Sequence, residues 1–271
     1  MPLPEAARRR EVPMPRIWPF PLAALAGILG WLQPMPTIPD GHDGLCAQRR
    51  VGGIDYIVCS IDLERHDLAL MAEDASGTPY RTFGGARRAL EAEGREMLLA
   101  MNAGMYHEDR RAVGLAVQAG RELHPAATGE GPGNFSMKPN GVFFVEDGRA
   151  AVMETGRYLS RPRRPDLATQ SGPMLLIDGA LHPRFIEGSD SLYVRNGACA
   201  LEDGRAVRLV MTRQPVNFWD FAKFFRDELG CRDALFFDGQ VSSLYYPAAG
   251  IDQARDALGP MLAVTTRRVA P

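Results

Sequence analysis

The residues of this chain that could do chemistry sit where apolar runs begin or stop. The clearest case is ALFFDGQVSS, residues 234–243, where a run apolar enough for a core ends on Asp238-Gly239 and then reaches Ser242 and Ser243. Asn102 interrupts MLLAMNAGMY, Asn140 stands in KPNG, and Ser171 and Gly172 fall in TQSGP. Arg195 and Asn196 fall in VRNG, and Thr212 ends VMT. Glycine accompanies most of them, which permits unusual dihedrals and close backbone approach to a ligand. Should these strand ends converge, they form a polar cup of amides and hydroxyls around one guanidinium and one carboxylate. Each residue alone has a plainer reading, since Asn-Gly signals a turn and Asp238 suits an Asx-turn acceptor.

Familiar catalytic patterns are missing. There is no GxSxG elbow and no Walker loop, and the proline in GEGPGN spoils a nucleotide-type glycine loop. The chain has no CxxC or HExxH, so neither a metal nor a cofactor is expected. His107, beside Glu108 and Asp109 in MYHEDRR, lies in a polar loop and reads as solvated rather than catalytic.

Positioning such a cup takes many short strands. Glycine (28) and proline (21) are plentiful, which suits tight turns better than a helical bundle. Asp147-Gly148, Asp178-Gly179 and Asp203-Gly204 mark hairpins. NGVFFVEDGRAAV and NGACALEDGRAVR share one pattern, either an old duplication or the common grammar of hairpins. Arg81 to Glu93 reads as a helix stopped by Gly94. VRLVMT reads as a strand, and VNFWDFAKFFRDELG as a helix capped by Asn217 and ended by Gly230. Its stripe of Phe218, Phe221, Ala222, Phe225 and Leu229 reads as core rather than as an aromatic binding platform. The expected class is α+β: a single β-rich domain of mixed or antiparallel strands with a few packed helices, over residues 45–271.

At 271 residues with 45% hydrophobic content, the chain can fill a sizeable core. Its formal charge is -2, and the first 36 residues hold four arginines and two glutamates, so the remainder is more acidic still. A nucleic-acid partner is therefore not expected, because that needs a basic surface. The N-terminus places Arg8, Arg9, Arg10 and Arg16 before an apolar stretch from Trp18 to Leu32. Such a stretch is short of the roughly 20 residues of a membrane span and right for an export signal. Residues 1–36 read as a signal peptide or, since no clean small-x-small cleavage site follows, a short anchor over 17–32; residues 37–44 read as a linker. A periplasmic location follows, with membrane contact only through that segment.

Cysteine spacing agrees with export. With Gly52-Gly53 as a hairpin turn, Cys46 faces Cys59 at a non-hydrogen-bonded pair, where Cα atoms lie about 4.5 Å apart and a disulfide can form. Cys199 and Cys231 have no such local geometry and either pair or stay reduced.

NAGMY, GNFSMKPNGVFF, ATQSGPML, RNG, VNFWDFA and LGCRDALFFDGQVSSLY, in that order, resemble the phosphodiester glycosidase family, and its bacterial exported branch most closely. The resemblance runs from about Cys46 to Tyr246. One departure is Gln240, where the family often has glycine or serine after Asp-Gly. The resemblance implies hydrolysis of a small or cell-envelope sugar-1-phosphodiester at the sugar carbon. Arg195 then suits the phosphate, and Asp238 suits an oxocarbenium-like transition state. Asn102 stands with them as a catalytic candidate, and Glu108 is a reserve acid. Asn140, Ser171, Gly172, Asn196, Thr212, Gly239, Ser242 and Ser243 are candidate substrate contacts. The alternative reading is a non-catalytic binding module for envelope glycans or glycophosphates.

Overall fold

The computed structural model describes residue 38, residues 44–254 and residues 257–267. The expected export segment, 1–36, lies outside the described residues. Among the described residues, no helix is long and apolar enough to cross a membrane.

Gly52 and Gly53, both left-handed (φ 58° and 83°), close a hairpin between β1 (Cys46–Val51) and β2 (Ile54–Asp62). The register sets Val51 against Ile54 and Cys46 against Cys59, and a disulfide joins the latter pair with Cα atoms 3.9 Å apart. β3 (His66–Met71) leads to α1 (Phe83–Ala92). That helix starts two residues later than the sequence pattern suggests, because Arg81 is left-handed (φ 64°) and Thr82 is the cap, accepting from the Gly85 N–H at 3.0 Å. β4 (Met97–Asn102), β5 (Ala116–Gln118) and β6 (Arg121–His124) follow, then β7 (Gly141–Glu146), β8 (Arg149–Glu154) and the single turn α2 (Thr155–Leu159). The chain continues through β9 (Leu167–Ser171), β10 (Met174–Ile177), β11 (Ala180–Leu181), β12 (Asn196–Leu201) and β13 (Ala206–Thr212). α3 (Phe218–Lys223) extends into a π-turn, Phe224–Glu228. The last strands are β14 (Ala234–Asp238), β15 (Leu244–Tyr246), β16 (Ile251–Gln253) and β17 (Met261–Thr266).

Among the described residues the strands form three sheets: seven strands in the order β1-β2-β13-β12-β14-β10-β11, five as β16-β15-β4-β17-β3, and five as β6-β5-β9-β7-β8. The strand pairings described are antiparallel, so of the two arrangements expected the antiparallel one holds. Asp147-Gly148 and Asp178-Gly179 are left-handed two-residue turns. Asp203-Gly204 has the same handedness (φ 56° and 87°), but pairing stops at Leu201 and Ala206 and a 3-10 turn fills the gap. That connection is longer than the tight hairpin its sequence suggests.

The Asn217 side chain caps α3 by accepting from the Asp220 N–H at 2.8 Å. α3 and its π-turn bury Phe221, Ala222 and Phe225 completely against the seven-stranded sheet, beside Phe236. A second disulfide, Cys199–Cys231, ties the end of this helical segment to β12. Phe143 and Phe237 meet edge to face at 6.3 Å and dock the third sheet on the first. The end of β14, where Asp238 stands, is thus held between the first and third sheets.

Candidate functional site

β14 is central and apolar, and residues 234–237 are buried. Its partner β12 comes unusually close: a β-carbon on Gly197 would lie 2.5 Å from the Leu235 carbonyl, so only glycine fits. The register slips between Asn196 and Gly197, opposite Asp238. That irregularity turns the Asn196 side chain toward the second sheet. Its Nδ2 lies 2.9 Å from both the carbonyl and Oδ1 of Asn102, while its Oδ1 accepts the Asp238 N–H at 3.0 Å. Asn102 Oδ1 also accepts the Ser243 N–H at 2.8 Å, and Asn102 Nδ2 is buried without a partner.

The Asp238 carboxylate closes an Asx-type turn: Oδ1 accepts the N–H groups of Gln240 at 2.6 Å and Val241 at 3.1 Å. Oδ2 takes no hydrogen bond from the described residues. Burial pushes the Asp238 carboxyl above the ordinary carboxylate value, against the pull of the Val241, Gln240 and Gly239 amides. The plain turn reading is therefore realised at one oxygen and leaves the other available.

Arg195 is 1% exposed. Its Nε donates to the Val216 carbonyl at 2.8 Å and its Nη2 to the Ser191 carbonyl at 2.9 Å. The guanidinium lies 3.6 Å over the Phe218 ring, with Tyr193 and Phe236 at 5.4 and 5.5 Å. Nη1 is buried and unpartnered, and among the described residues no carboxylate pairs with this cation. Burial brings its pKa down to about 10. Nη1 faces the Asp238-Gly239 turn: a β-carbon on Gly239 would stand 3.5 Å from it. Phe218, which the helical stripe assigns to the core, is half-buried and forms the platform for this cation. Its spacing matches the core residues Phe221 and Phe225, so periodicity alone does not reveal the role.

The other candidates gather around the same strand end but use their polar atoms on the frame. Ser171 Oγ donates to the Phe237 carbonyl at 3.0 Å. Gly172 leaves no room for a side chain, because a β-carbon there would sit 2.7 Å from that of Asn140. Asn140 is buried between the Phe135 carbonyl (3.0 Å) and the Thr155 hydroxyl (2.8 Å). Thr212 Oγ1 accepts the Arg195 N–H at 2.9 Å. Ser242 Oγ lies 2.9 Å from the Val194 carbonyl and 3.0 Å from that of Asp238, and Ser243 Oγ donates to the Val241 carbonyl at 2.7 Å. Glu108 stands apart, exposed in the loop between Tyr106 and Ala112, with no described contact to Asp238.

Three participants escape a sequence reading. Gln170, buried next to Ser171, accepts from the Leu115 and Ala127 amides and lies 3.2 Å from the Thr155 hydroxyl. Gly104, in NAGMY, donates its N–H to Thr169 Oγ1 at 3.1 Å, and a β-carbon there would lie 2.4 Å from the Gln170 carbonyl. Tyr193 packs over Arg195 while remaining 45% exposed. Only the TQS and NAG strings hint at the first two, and nothing local marks Tyr193.

The model of one protein family, described as phosphodiester glycosidase, matches residues 95–269, a span that holds every one of these site residues. The chain belongs to the phosphodiester glycosidase family. The match begins after the β1–β2 hairpin, later than the resemblance traced from Cys46. Within this family fold, the chain is 29% identical over 192 residues to the uncharacterized protein YigE of Escherichia coli K12, covering 71% of this chain and 74% of that one. It is similar in structure to the catalytic domain of zebrafish N-acetylglucosamine-1-phosphodiester α-N-acetylglucosaminidase, solved auto-inhibited by its pro-peptide. That likeness has a TM-score of 0.58 at 11% identity and covers 86% of this chain and 87% of the other. A hypothetical protein from Synechocystis also matches, with a TM-score of 0.51, 12% identity and coverage of 82% and 62%. At such identities these two structures speak for the fold.

Proposed function

We propose that this phosphodiester glycosidase hydrolyses a sugar-1-phosphodiester at the anomeric carbon, giving free sugar and a phosphomonoester. The observation that carries the reading is Arg195: a buried guanidinium with no described counter-ion and an unpartnered Nη1 beside the Asp238-Gly239 turn. A buried cation left without an anion is costly, and a bound phosphodiester brings one negative charge to it.

In the reaction the bond between C1 and the phosphate oxygen breaks, its electron pair leaves with the phosphate, and water adds to C1 after losing a proton. Positive charge builds on the sugar ring on the way. Asp238 Oδ2 faces this charge or takes the water proton, while the Gln240 and Val241 amides hold Oδ1 in place. A carboxyl raised by burial suits proton exchange nearer neutral pH. The phosphate leaves readily, so no second carboxylate has to donate a proton and Glu108 has no part. Asn102 Nδ2 supplies a spare donor for a sugar hydroxyl or phosphate oxygen. Asn140, Ser171, Gly172, Asn196, Thr212, Gly239, Ser242 and Ser243 fix the shape of the cup, more through its frame than through free hydroxyls. Gln240, exposed at its edge, narrows the entrance relative to a glycine.

Two disulfides support an oxidising compartment. With the basic and apolar N-terminus, they favour export to the periplasm and an envelope sugar phosphodiester as substrate, with residues 17–32 as a tether if they remain.

The test is release of reducing sugar from methyl and glyceryl sugar-1-phosphodiesters and from UDP-N-acetylglucosamine, by the purified protein and by Asp238→Asn. The expected result is release that falls about a hundredfold or more in the variant. Release by both would refute the part assigned to Asp238. Binding of the diesters without release by either would favour the non-catalytic glycophosphate module.

A further inference from the structure

His182 is the one buried histidine among the described residues, and the reaction proposed above does not use it. It follows β11, and its N–H donates to the Leu175 carbonyl of β10 at 3.2 Å. Its Nδ1 accepts the Arg184 N–H at 3.2 Å and its carbonyl accepts the Phe185 N–H at 3.1 Å, a tight turn that lays the Phe185 ring on the imidazole. Stacked contacts continue from there toward the candidate site. His182 and Phe185 have ring centroids 4.8 Å apart, Phe185 and Phe218 lie 4.9 Å apart and 5° from parallel, and the Arg195 guanidinium stands 3.6 Å over Phe218. The same loop, between β11 and β12, also holds the guanidinium through the Ser191 carbonyl and the Tyr193 ring.

With Nδ1 accepting, the neutral ring carries its hydrogen on Nε2, which is buried without a partner. A phenylalanine would fill this place and leave no ring N–H unpaired, so packing alone does not ask for histidine. Burial holds the imidazole below the ordinary histidine value, against the pull of the Lys138 backbone, and the Arg184 charge adds to the fall.

We infer that His182 is a positioning residue for Arg195: its neutral ring seats the Phe185–Phe218 support under the guanidinium, and a proton on Nδ1 unseats it. The inference rests on the reading of Arg195 as the phosphate anchor. A charged imidazole has donors at both nitrogens, so Nδ1 would meet the Arg184 N–H donor to donor, and the turn that carries Phe185 opens. Arg184 is the charged side chain that acts on this ring. Phosphate binding therefore weakens as pH falls. Asp238 works the other way, because a carboxyl that gains its proton in acid no longer repels an anion.

The probe is diethyl phosphate, whose single charge is constant over the range, titrated calorimetrically into the intact protein from about pH 7 to about pH 4.5. As the neutral fraction of His182 shrinks, the parent's affinity falls by up to about tenfold per pH unit below the folded pKa. His182→Phe keeps a ring for Phe185 and has nothing to titrate, so it binds within about twofold of the parent near neutral pH and lacks that fall. The contribution of Asp238 is common to both proteins and cancels in their ratio. Phe185→Leu interrupts the stack but keeps His182, and weakens binding near neutral pH about threefold or more, the strength of an aromatic pair. Phe83→Leu, in the separate core beneath α1, controls for lost stability and leaves affinity alone. A His182→Phe curve that tracks the parent's, Phe185→Leu binding as tightly as Phe83→Leu, or no binding of diethyl phosphate by the parent would each overturn the inference. Sugar release from an ethyl sugar-1-phosphodiester separates the positioning role from the reaction. Release with a KM that ignores His182→Phe over the same pH range keeps the reaction and removes the role. Binding that depends on pH through His182, without release, keeps the role and removes the reaction.

Discussion

Asn196 reaches Asn102 across 94 residues of chain, its Nδ2 2.9 Å from both oxygens of that residue, while its own Oδ1 holds the Asp238 N–H. One amide side chain thereby locks the end of β12 to the end of β4 and fixes the strand that delivers Asp238. Asn196→Ala strands the Asp238 N–H and the Asn102 carbonyl in a buried place, each a loss of roughly 1–3 kcal/mol. Urea unfolding is expected to show a destabilisation of about 2–4 kcal/mol. Asn102→Ala combined with it should cost less than the sum of the two single changes, because both remove the same link.

Arg195 gives a second expectation. A phosphodiester that pairs with Nη1 binds only the folded protein, so a non-hydrolysable dialkyl phosphate at 100 times its Kd should stabilise the fold by about 2.7 kcal/mol. Arg195→Lys keeps a charge but cannot reach the Val216 and Ser191 carbonyls with a planar fork. Thermal unfolding with and without ligand should show that stabilisation in the parent and little of it in the variant, and KM should rise more than kcat falls. An equal ligand response in both proteins would place the phosphate elsewhere.

Asp238 makes stability depend on pH in a definite direction. Its folded pKa is raised above the ordinary carboxylate value, so the native state holds the proton more tightly than the unfolded chain. Stability is then greatest below the ordinary value and falls as pH rises from there through the raised folded pKa. Asp238→Asn removes this contribution. Urea titrations at pH values spanning that window should show the variant gaining on the parent as pH rises; parallel curves would mean that burial does not act on this group.

Much of this arrangement is legible in the sequence because its causes are local. The Gly52-Gly53 turn sets the register that brings Cys46 to Cys59, and ALFFD is a strand with the same bounds in the fold. Asn217 caps its helix as its position suggests. What is not legible depends on direction and distance. Whether Ser171 or Ser242 offers its hydroxyl to a ligand or to a carbonyl is decided by backbone that arrives from elsewhere in the chain. Phe218 has the spacing of a core residue and turns into a cation platform only because Arg195 arrives over it. Glu108 is an acid in reserve only for a reaction that needs a second carboxylate, and its place in MYHEDRR does not tell which way a loop leaves the sheet.

The disulfides bear on the compartment. They close segments separated by 13 and 32 residues, for which chain entropy predicts stabilisation of about 3 and about 4 kcal/mol. Cys199→Ser/Cys231→Ser should therefore lower the unfolding free energy more than Cys46→Ser/Cys59→Ser. Protein made in a reducing compartment should resemble the quadruple variant, as chemical denaturation of each preparation can check.

The most direct test of the central claim is which bond breaks. Hydrolysis of a methyl sugar-1-phosphodiester in water enriched in oxygen-18, followed by phosphorus NMR of the methyl phosphate released, reports where the water oxygen went. Attack at the anomeric carbon predicts methyl phosphate with no isotope shift, all the label having entered the sugar. A shifted phosphorus signal would mean attack at phosphorus, and would contradict the roles of Asp238 at the sugar carbon and of Arg195 on the departing phosphate.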